Sequence, residues 1–241
     1  MSTTTRPAPK RRAADGVVPG RRRRSDLTDL AARQQLVVTA QQLDAVGMNR
    51  GSTGNASVRA SEGGFWITAT GMTAAELTVD KLVWIDATGQ AYGDWQPSSE
   101  WHFHRAIYLR RPDLHAVLHT HSVHATALAC LRRGLPAFHY MVAVAGGDSV
   151  PCTPYHLFGT EALSRAVADA FAERHACLMA NHGLVAGGRD VAQAKKVLVE
   201  IEALCEIYLK ALAVEEPVLL SRQEMAVVIE KFRSYGQTRR G

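Results

Sequence analysis

Residues 113–125 read DLHAVLHTHSVHA. How this stretch folds decides where the site lies. HAVLHTH (115–121) is a short apolar run and reads as a strand, and 123–132 reads as the helix that follows. In a strand, residues two apart share a face. His119 and His121 therefore point the same way, close enough to hold one metal ion through Zn–N bonds of about 2.0–2.1 Å. His115 shares their parity but lies ~13 Å back along the strand, out of reach. His124 falls in the first turn beyond the strand and is expected to cap or shape the pocket. Upstream, His102 and His104 lie on a helix over about 99–111, where positions two apart diverge by about 200°. They are expected as packing and supporting residues around Glu100, not as a ligand pair.

An H-x-H pair is equally an ordinary pair of half-buried histidines. A catalytic zinc site usually has three protein ligands and an open position. The best third donor is His182 in Asn181-His182-Gly183, at the end of an apolar strand and before a glycine turn; His139, His156 and His175 are weaker. Glu100 tips the balance. A carboxylate at a helix start can serve as a cap, but beside a metal it can also act as a general base on the acidified hydrogens of a bound carbonyl compound.

Three dipeptides carry an anion signal: Gly54-Asn55, Thr70-Gly71 and Ser98-Ser99. Each pairs backbone N–H groups with a hydroxyl or amide at a loop or helix start. Taken singly, each is equally turn or cap chemistry. There is no G-K-[ST], which excludes a nucleotide P-loop.

Beyond these segments, the pattern predicts a helix over 26–47 capped by Ser25, strands at 55–59, 65–69 and 82–86, and a capping box at Thr73 and Glu76. It further predicts a helix over 160–174, a buried strand CLMAN (177–181) turning at Gly183 into LVAGG, and helices near 190–213 and 221–232. Hairpin links beside helical crossovers favour a mixed sheet covered by helices.

The chain has 241 residues and a formal net charge of +5. Residues 1–25 hold eight arginines and lysines against the single Asp15, so the remainder is slightly acidic, with 20 basic side chains against 22. This basic segment has no aromatic residue, and a disordered extension is expected; loose nucleic-acid binding is the lesser reading. No run of 18 apolar residues suggests a membrane span. Four cysteines without a C-x-x-C are expected to be reduced thiols in a cytoplasmic protein.

Together, GSTGNASVR (51–59), ITATGM (67–72), PSSEWHFHRAIYLRRPDLHAVLHTHSVHATALA (97–129), PAFHYMVAVAGG (136–147) and NHGLVA (181–186) resemble the class II aldolase/adducin family. YHLFGT (155–160) and VVIEKFRSYG (227–236) are similar to its branch that cleaves L-fuculose 1-phosphate. The resemblance covers 26–241 apart from the last few residues. It implies a three-layer α/β/α sandwich with a mixed, largely antiparallel central sheet, a homotetramer, and active sites at subunit interfaces. It implies Zn²⁺ on His119, His121 and His182, with Glu100 as acid/base and able to contact the metal. Tyr140 would come from the neighbouring subunit as the second proton-transfer group. Gly54, Asn55, Thr70, Gly71, Ser98 and Ser99 would bind the phosphate, and Phe158 and Tyr235 would close the aldehyde pocket.

The implied reaction is cleavage of a ketose 1-phosphate, L-fuculose 1-phosphate or a close analogue, into dihydroxyacetone phosphate and a small aldehyde such as L-lactaldehyde. A salvage aldolase for 5-deoxyribulose or 5-methylthioribulose 1-phosphate would keep every residue named and differ only in the aldehyde pocket. Sugar-phosphate 4-epimerases of the same fold carry an aspartate where Ser99-Glu100 stands here. A non-catalytic adducin-type module would have lost the histidines, Glu100 and Tyr140, and none is lost.

Overall fold

The computed structural model describes residues 16–18 and 28–234. Its strands are β1 (Val17–Val18), β2 (Asn55–Arg59), β3 (Phe65–Ile67), β4 (Val83–Ile85), β5 (Ala91–Tyr92), β6 (Ala116–Thr120), β7 (Cys152–Thr153), β8 (Ala176–Met179) and β9 (Gly183–Gly188). Its helices are α1 (Leu30–Ala45), α2 (Trp101–Arg110), α3 (Val123–Cys130), α4 (Glu161–Ala170), α5 (Val191–Leu212) and α6 (Arg222–Ser234). The sheet runs β1-β5-β4-β3-β2-β6-β9-β8-β7. The outer pairs β1–β5 and β7–β8 are parallel, and every other pair is antiparallel. The expected mixed, largely antiparallel sheet is what forms.

Period-2 alternation divides the strands between two cores. Ala56, Val58, Leu118, Leu178 and Leu184 face α1, α3, α5 and α6. Phe65, Ile67, Val117, Cys177 and Val185 face α2 and α4. The result is three layers, helix–sheet–helix. α5 shows why its segment is helical. Asp190 accepts the Gln193 N–H at 2.7 Å as N-cap, and Val191, Ala194, Val197, Leu198, Ile201, Leu204, Cys205 and Tyr208 recur at helical spacing as one buried stripe.

Some expectations are corrected. The first helix begins at Leu30, and Ser25 lies outside the described residues. Asp29, just before it, does not cap with its side chain. Its buried carboxylate instead takes the Ser61 N–H at 3.0 Å and the Trp66 indole at 2.9 Å, tying α1 to the β2–β3 hairpin. Val17 and Val18 form an edge strand within the segment read as wholly unstructured; residues 1–15 and 19–25 lie outside the described residues. The short β7 and the 3₁₀ turn Tyr140–Ala145 had no sequence signal. The Thr73–Glu76 capping box is formed in full.

Register builds the site. Asn55 pairs with His119 across β2–β6, and His119 with Val185 across β6–β9. The β8–β9 turn brings His182 to the same end. Asn181 adopts the left-handed region there (φ 55°), which asparagine tolerates better than most residues. Gly183 follows because nothing larger fits: a Cβ there would lie 2.4 Å from the Thr120 carbonyl and 3.1 and 3.2 Å from the His121 and His119 rings.

Candidate active site

Three imidazoles converge where β6 ends against the β8–β9 turn. One ring nitrogen from each of His119, His121 and His182 lies within 4.8 Å of the others. His119 Nδ1–H donates to the Leu184 carbonyl at 2.9 Å, so its Nε2 presents a lone pair. That atom lies 3.1 Å from His121 Nε2 and 3.4 Å from Glu100 Oε2. Burial pushes the pKa of His119 down to about 3, and burial also lowers that of His121.

Glu100 is buried and directs its carboxylate into this cluster. It occupies the N-cap position of α2 without a side-chain capping bond, so the capping role does not apply. Oε2 accepts from Asn55 Nδ2 at 2.9 Å. Oε1 lies 3.1 Å from His182 Nε2 yet has no well-directed hydrogen bond. Burial opposes the charge, but His119, His182 and Asn55 outweigh it and hold the carboxyl well below its ordinary range. The donor set therefore suits a cation: one ring nitrogen from each of three histidines lies within 4.8 Å of the others, beside a buried carboxylate oxygen with no hydrogen-bond partner. Such a nitrogen and oxygen set fits Zn²⁺.

A cleft of about 360 Å³ opens from this cluster. Gly54, Asn55, Thr70, Gly71, Ser98 and Ser99 line it, with Phe158, as expected, and with Tyr155, His156 and Asn181. The anion end differs in detail from the sequence expectation. An isolated bridge between Ala69 and Pro97 uses the N–H groups of Thr70 and Ser98, which donate to Gln96 and Thr68 at 3.0 Å each. Those two residues can offer only their hydroxyls. Gly54 and Gly71 turn the chain at φ 76° and 69°, which glycine adopts without strain. Asn49 packs over Gly54 and accepts the His121 N–H at 3.2 Å, linking the anion loop to the histidine strand.

Of the other histidines, His102 is exposed and stacks on Trp101, so it does not support Glu100. His124 does not line the cleft; it pairs with Glu202 at 2.9 Å. Glu202 also accepts from Ser122 Oγ and the backbone of His124 and Ala125, holding the start of α3. His115 is exposed. His139 accepts the Met141 N–H, and His156 lies in the cleft wall apart from the cluster. His104 is fully buried against Asn55 and Ser57. Tyr140 is half-exposed on its 3₁₀ turn and does not line this chain's cleft. Tyr235 lies outside the described residues.

A helix-covered mixed sheet with three histidines and a glutamate at one strand end defines a metal-dependent aldolase architecture. The chain belongs to the class II aldolase family: the family model described as Class II Aldolase and Adducin N-terminal domain matches residues 34–209. It is a lyase of the aldolase type. It is 47% identical over 207 residues to a 5-methylthioribulose-1-phosphate/5-deoxyribulose-1-phosphate aldolase of Rhodospirillum rubrum, covering 86% of this chain and 93% of that one. It is 46% identical over 204 residues to an L-fuculose phosphate aldolase of Escherichia coli strain K12, covering 84% and 94%. A solved L-fuculose 1-phosphate aldolase superposes with a TM-score of 0.81 at 38% identity, covering 84% of this chain and 96% of that one. No helix among the described residues is long and apolar enough to cross a membrane.

Proposed function

We propose that the chain is a zinc-dependent aldolase that interconverts a ketose 1-phosphate with dihydroxyacetone phosphate and a small aldehyde, L-lactaldehyde when the substrate is L-fuculose 1-phosphate. The observation that carries this reading is a buried Glu100, its carboxyl held below the ordinary range, set against three convergent histidines beside a cleft lined by Gly54, Thr70, Gly71, Ser98 and Ser99. Zn²⁺ on His119, His121 and His182, when bound, supplies Lewis-acid stabilisation of negative charge on the three-carbon fragment.

The chain's own groups do the rest. Gly54, Asn55, Thr70, Gly71, Ser98 and Ser99 hold the phosphate and fix the sugar's orientation. In the condensation direction Glu100 takes the proton from the three-carbon fragment at the carbon that attacks the aldehyde. A C–C bond forms, and the aldehyde oxygen takes a proton from Tyr140. Cleavage reverses each transfer. The half-exposed Tyr140, outside its own chain's cleft, supports a homotetramer in which a neighbouring subunit supplies it. Phe158 and Tyr155 bound the aldehyde end, with Tyr235 as a further closing residue. The free thiols Cys130, Cys152, Cys177 and Cys205 support a reducing, cytoplasmic setting.

A salvage role toward 5-deoxyribulose or 5-methylthioribulose 1-phosphate has equal support, since the identity is 47% to the Rhodospirillum rubrum enzyme and 46% to the Escherichia coli one. Both readings share the phosphate and metal ends. The test is a panel of these three ketose 1-phosphates assayed for dihydroxyacetone phosphate release on protein of measured metal content. Release from L-fuculose 1-phosphate with the highest kcat/KM supports the first reading, preference for either pentulose supports the second, and no release from any sinks both.

A further inference from the structure

Glu100 is one end of a file of buried polar side chains running away from the cleft between β2 and α2. Asn55 Nδ2 meets Glu100 Oε2 at 2.9 Å, and Asn55 Oδ1 meets His104 Nε2 at 2.5 Å. His104 Nδ1 meets Ser57 Oγ at 2.7 Å, and Ser57 Oγ meets Tyr108 Oη at 2.8 Å. His104 and Ser57 are 0% exposed. Asn55 and Ser57 are two apart on a strand, and His104 and Tyr108 are four apart on a helix, so each pair shares a face. The two elements interleave their polar groups in an otherwise apolar layer.

The direction of every bond follows from the Glu100 end. A carboxylate only accepts, so Asn55 turns its nitrogen to Glu100 and its oxygen to His104. His104 must then donate from Nε2. The ring is fully buried with only Asn55 and Ser57 as hydrogen-bond partners, and burial pushes its pKa down to about 3, so it is neutral and Nδ1 accepts from Ser57. The Ser57 oxygen in turn accepts from Tyr108. Reversing any one link sets two donors or two acceptors face to face in a dry site, which is costly.

We propose that His104 is a positioning residue of the reaction: backed by Ser57 and Tyr108, it locks the Asn55 amide so that an N–H always faces Glu100 Oε2. Oε1, which has no well-directed hydrogen bond, is thereby the oxygen left to exchange the substrate's proton. The assignment rests on Glu100 being the acid/base group and adds the residues that orient it.

Two measurements test it. In ¹⁵N-histidine-labelled wild-type protein, NMR should find His104 as the neutral Nε2–H tautomer. A neutral Nδ1–H form or a doubly protonated ring overturns the chain of bonds whatever the enzyme's chemistry. In kinetics with L-fuculose 1-phosphate, or the pentulose 1-phosphate if the panel prefers it, His104→Leu should lower kcat about 10–100-fold. Bound metal per chain should stay at the wild-type value, and KM should change less than kcat, because Asn55 also lines the anion end of the cleft. His104→Gln, which restores an N–H toward Asn55, should recover most of that loss, and Tyr108→Phe should lose less in the same direction. Wild-type kcat in both His104→Leu and Tyr108→Phe, measured well below their melting temperatures, overturns the proposal. Glu100→Gln separates the two claims: if it stays active, the acid/base reading fails; if it is inactive while His104→Leu and Tyr108→Phe both keep wild-type kcat, only the positioning role fails.

Discussion

The two ends of the cleft are built in opposite ways. At the metal end the groups are side chains brought together by strand register, with His119, Glu100 and Asn55 buried and His121 and His182 half-buried: Asn55 opposite His119, His119 opposite Val185, and His182 on the turn that follows β8. At the anion end they are hydroxyls and backbone on loops, with Thr70, Gly71 and Ser99 exposed and Ser98 buried, shaped by glycines at positive φ and by one isolated bridge. A register-built site holds its groups rigidly and in low dielectric, which suits charge and proton chemistry. A loop-built site offers many weak, partly wet hydrogen bonds, which suits anchoring. The metal end should therefore govern kcat and the anion end KM.

The largest break should come from His119→Ala. Removing the ligand at the centre of the cluster should drop both metal content and turnover to background; full activity with a metal-free protein would dissolve the metal end as described. Next is Glu100→Gln, expected to keep fold and metal while lowering kcat about 10²–10⁴-fold, with KM little changed. A matching rise in KM would show that Glu100 also anchors substrate.

The third effect is on stability and pH. His104 and His119 are pushed by burial from about 6.5 to about 3 in the folded protein. Because their folded pKa lies below the unfolded one, the unfolded chain takes up protons first as pH falls. Stability is complete above about pH 6.5 and drains away toward pH 3, at about 1.4 kcal/mol per pH unit for each histidine. Denaturant midpoints of chelator-treated protein between pH 7 and 4.5 should fall with pH, and His104→Gln should make that fall shallower. A flat profile would contradict the dry character of the metal end. The smallest effect should be Ser99→Ala, raising KM about tenfold by removing one hydrogen bond to a charged phosphate, with kcat retained. A loss in kcat instead would erase the contrast between the ends.

The contrast also explains what could be read in advance. The β2 and β6 segments, the His119–His121 parity and the capping box are local patterns, and each appears where its period or motif places it. His182 was legible because an apolar strand and a glycine turn flank it. His104 was expected to support Glu100, but the way it does so was not legible, because its partners Asn55 and Ser57 lie 49 and 47 residues away and only the β2–α2 packing brings them together. His124 was misjudged for the same reason: Glu202, 78 residues on, turns it away from the cleft. The commitment of the Thr70 and Ser98 amides was equally hidden, since it depends on a bridge between two loops.

Register has a consequence for how such a protein can diverge. A one-residue insertion in β2 or β6 would turn Asn55 or His119 to the opposite face of the sheet, so these strands tolerate changes of residue but not of length. The Tyr155–Phe158 loop at the other rim of the cleft has no ladder partner to keep in step. That loop can lengthen, shorten or change its side chains without disturbing the register of the strands that bring the histidines together.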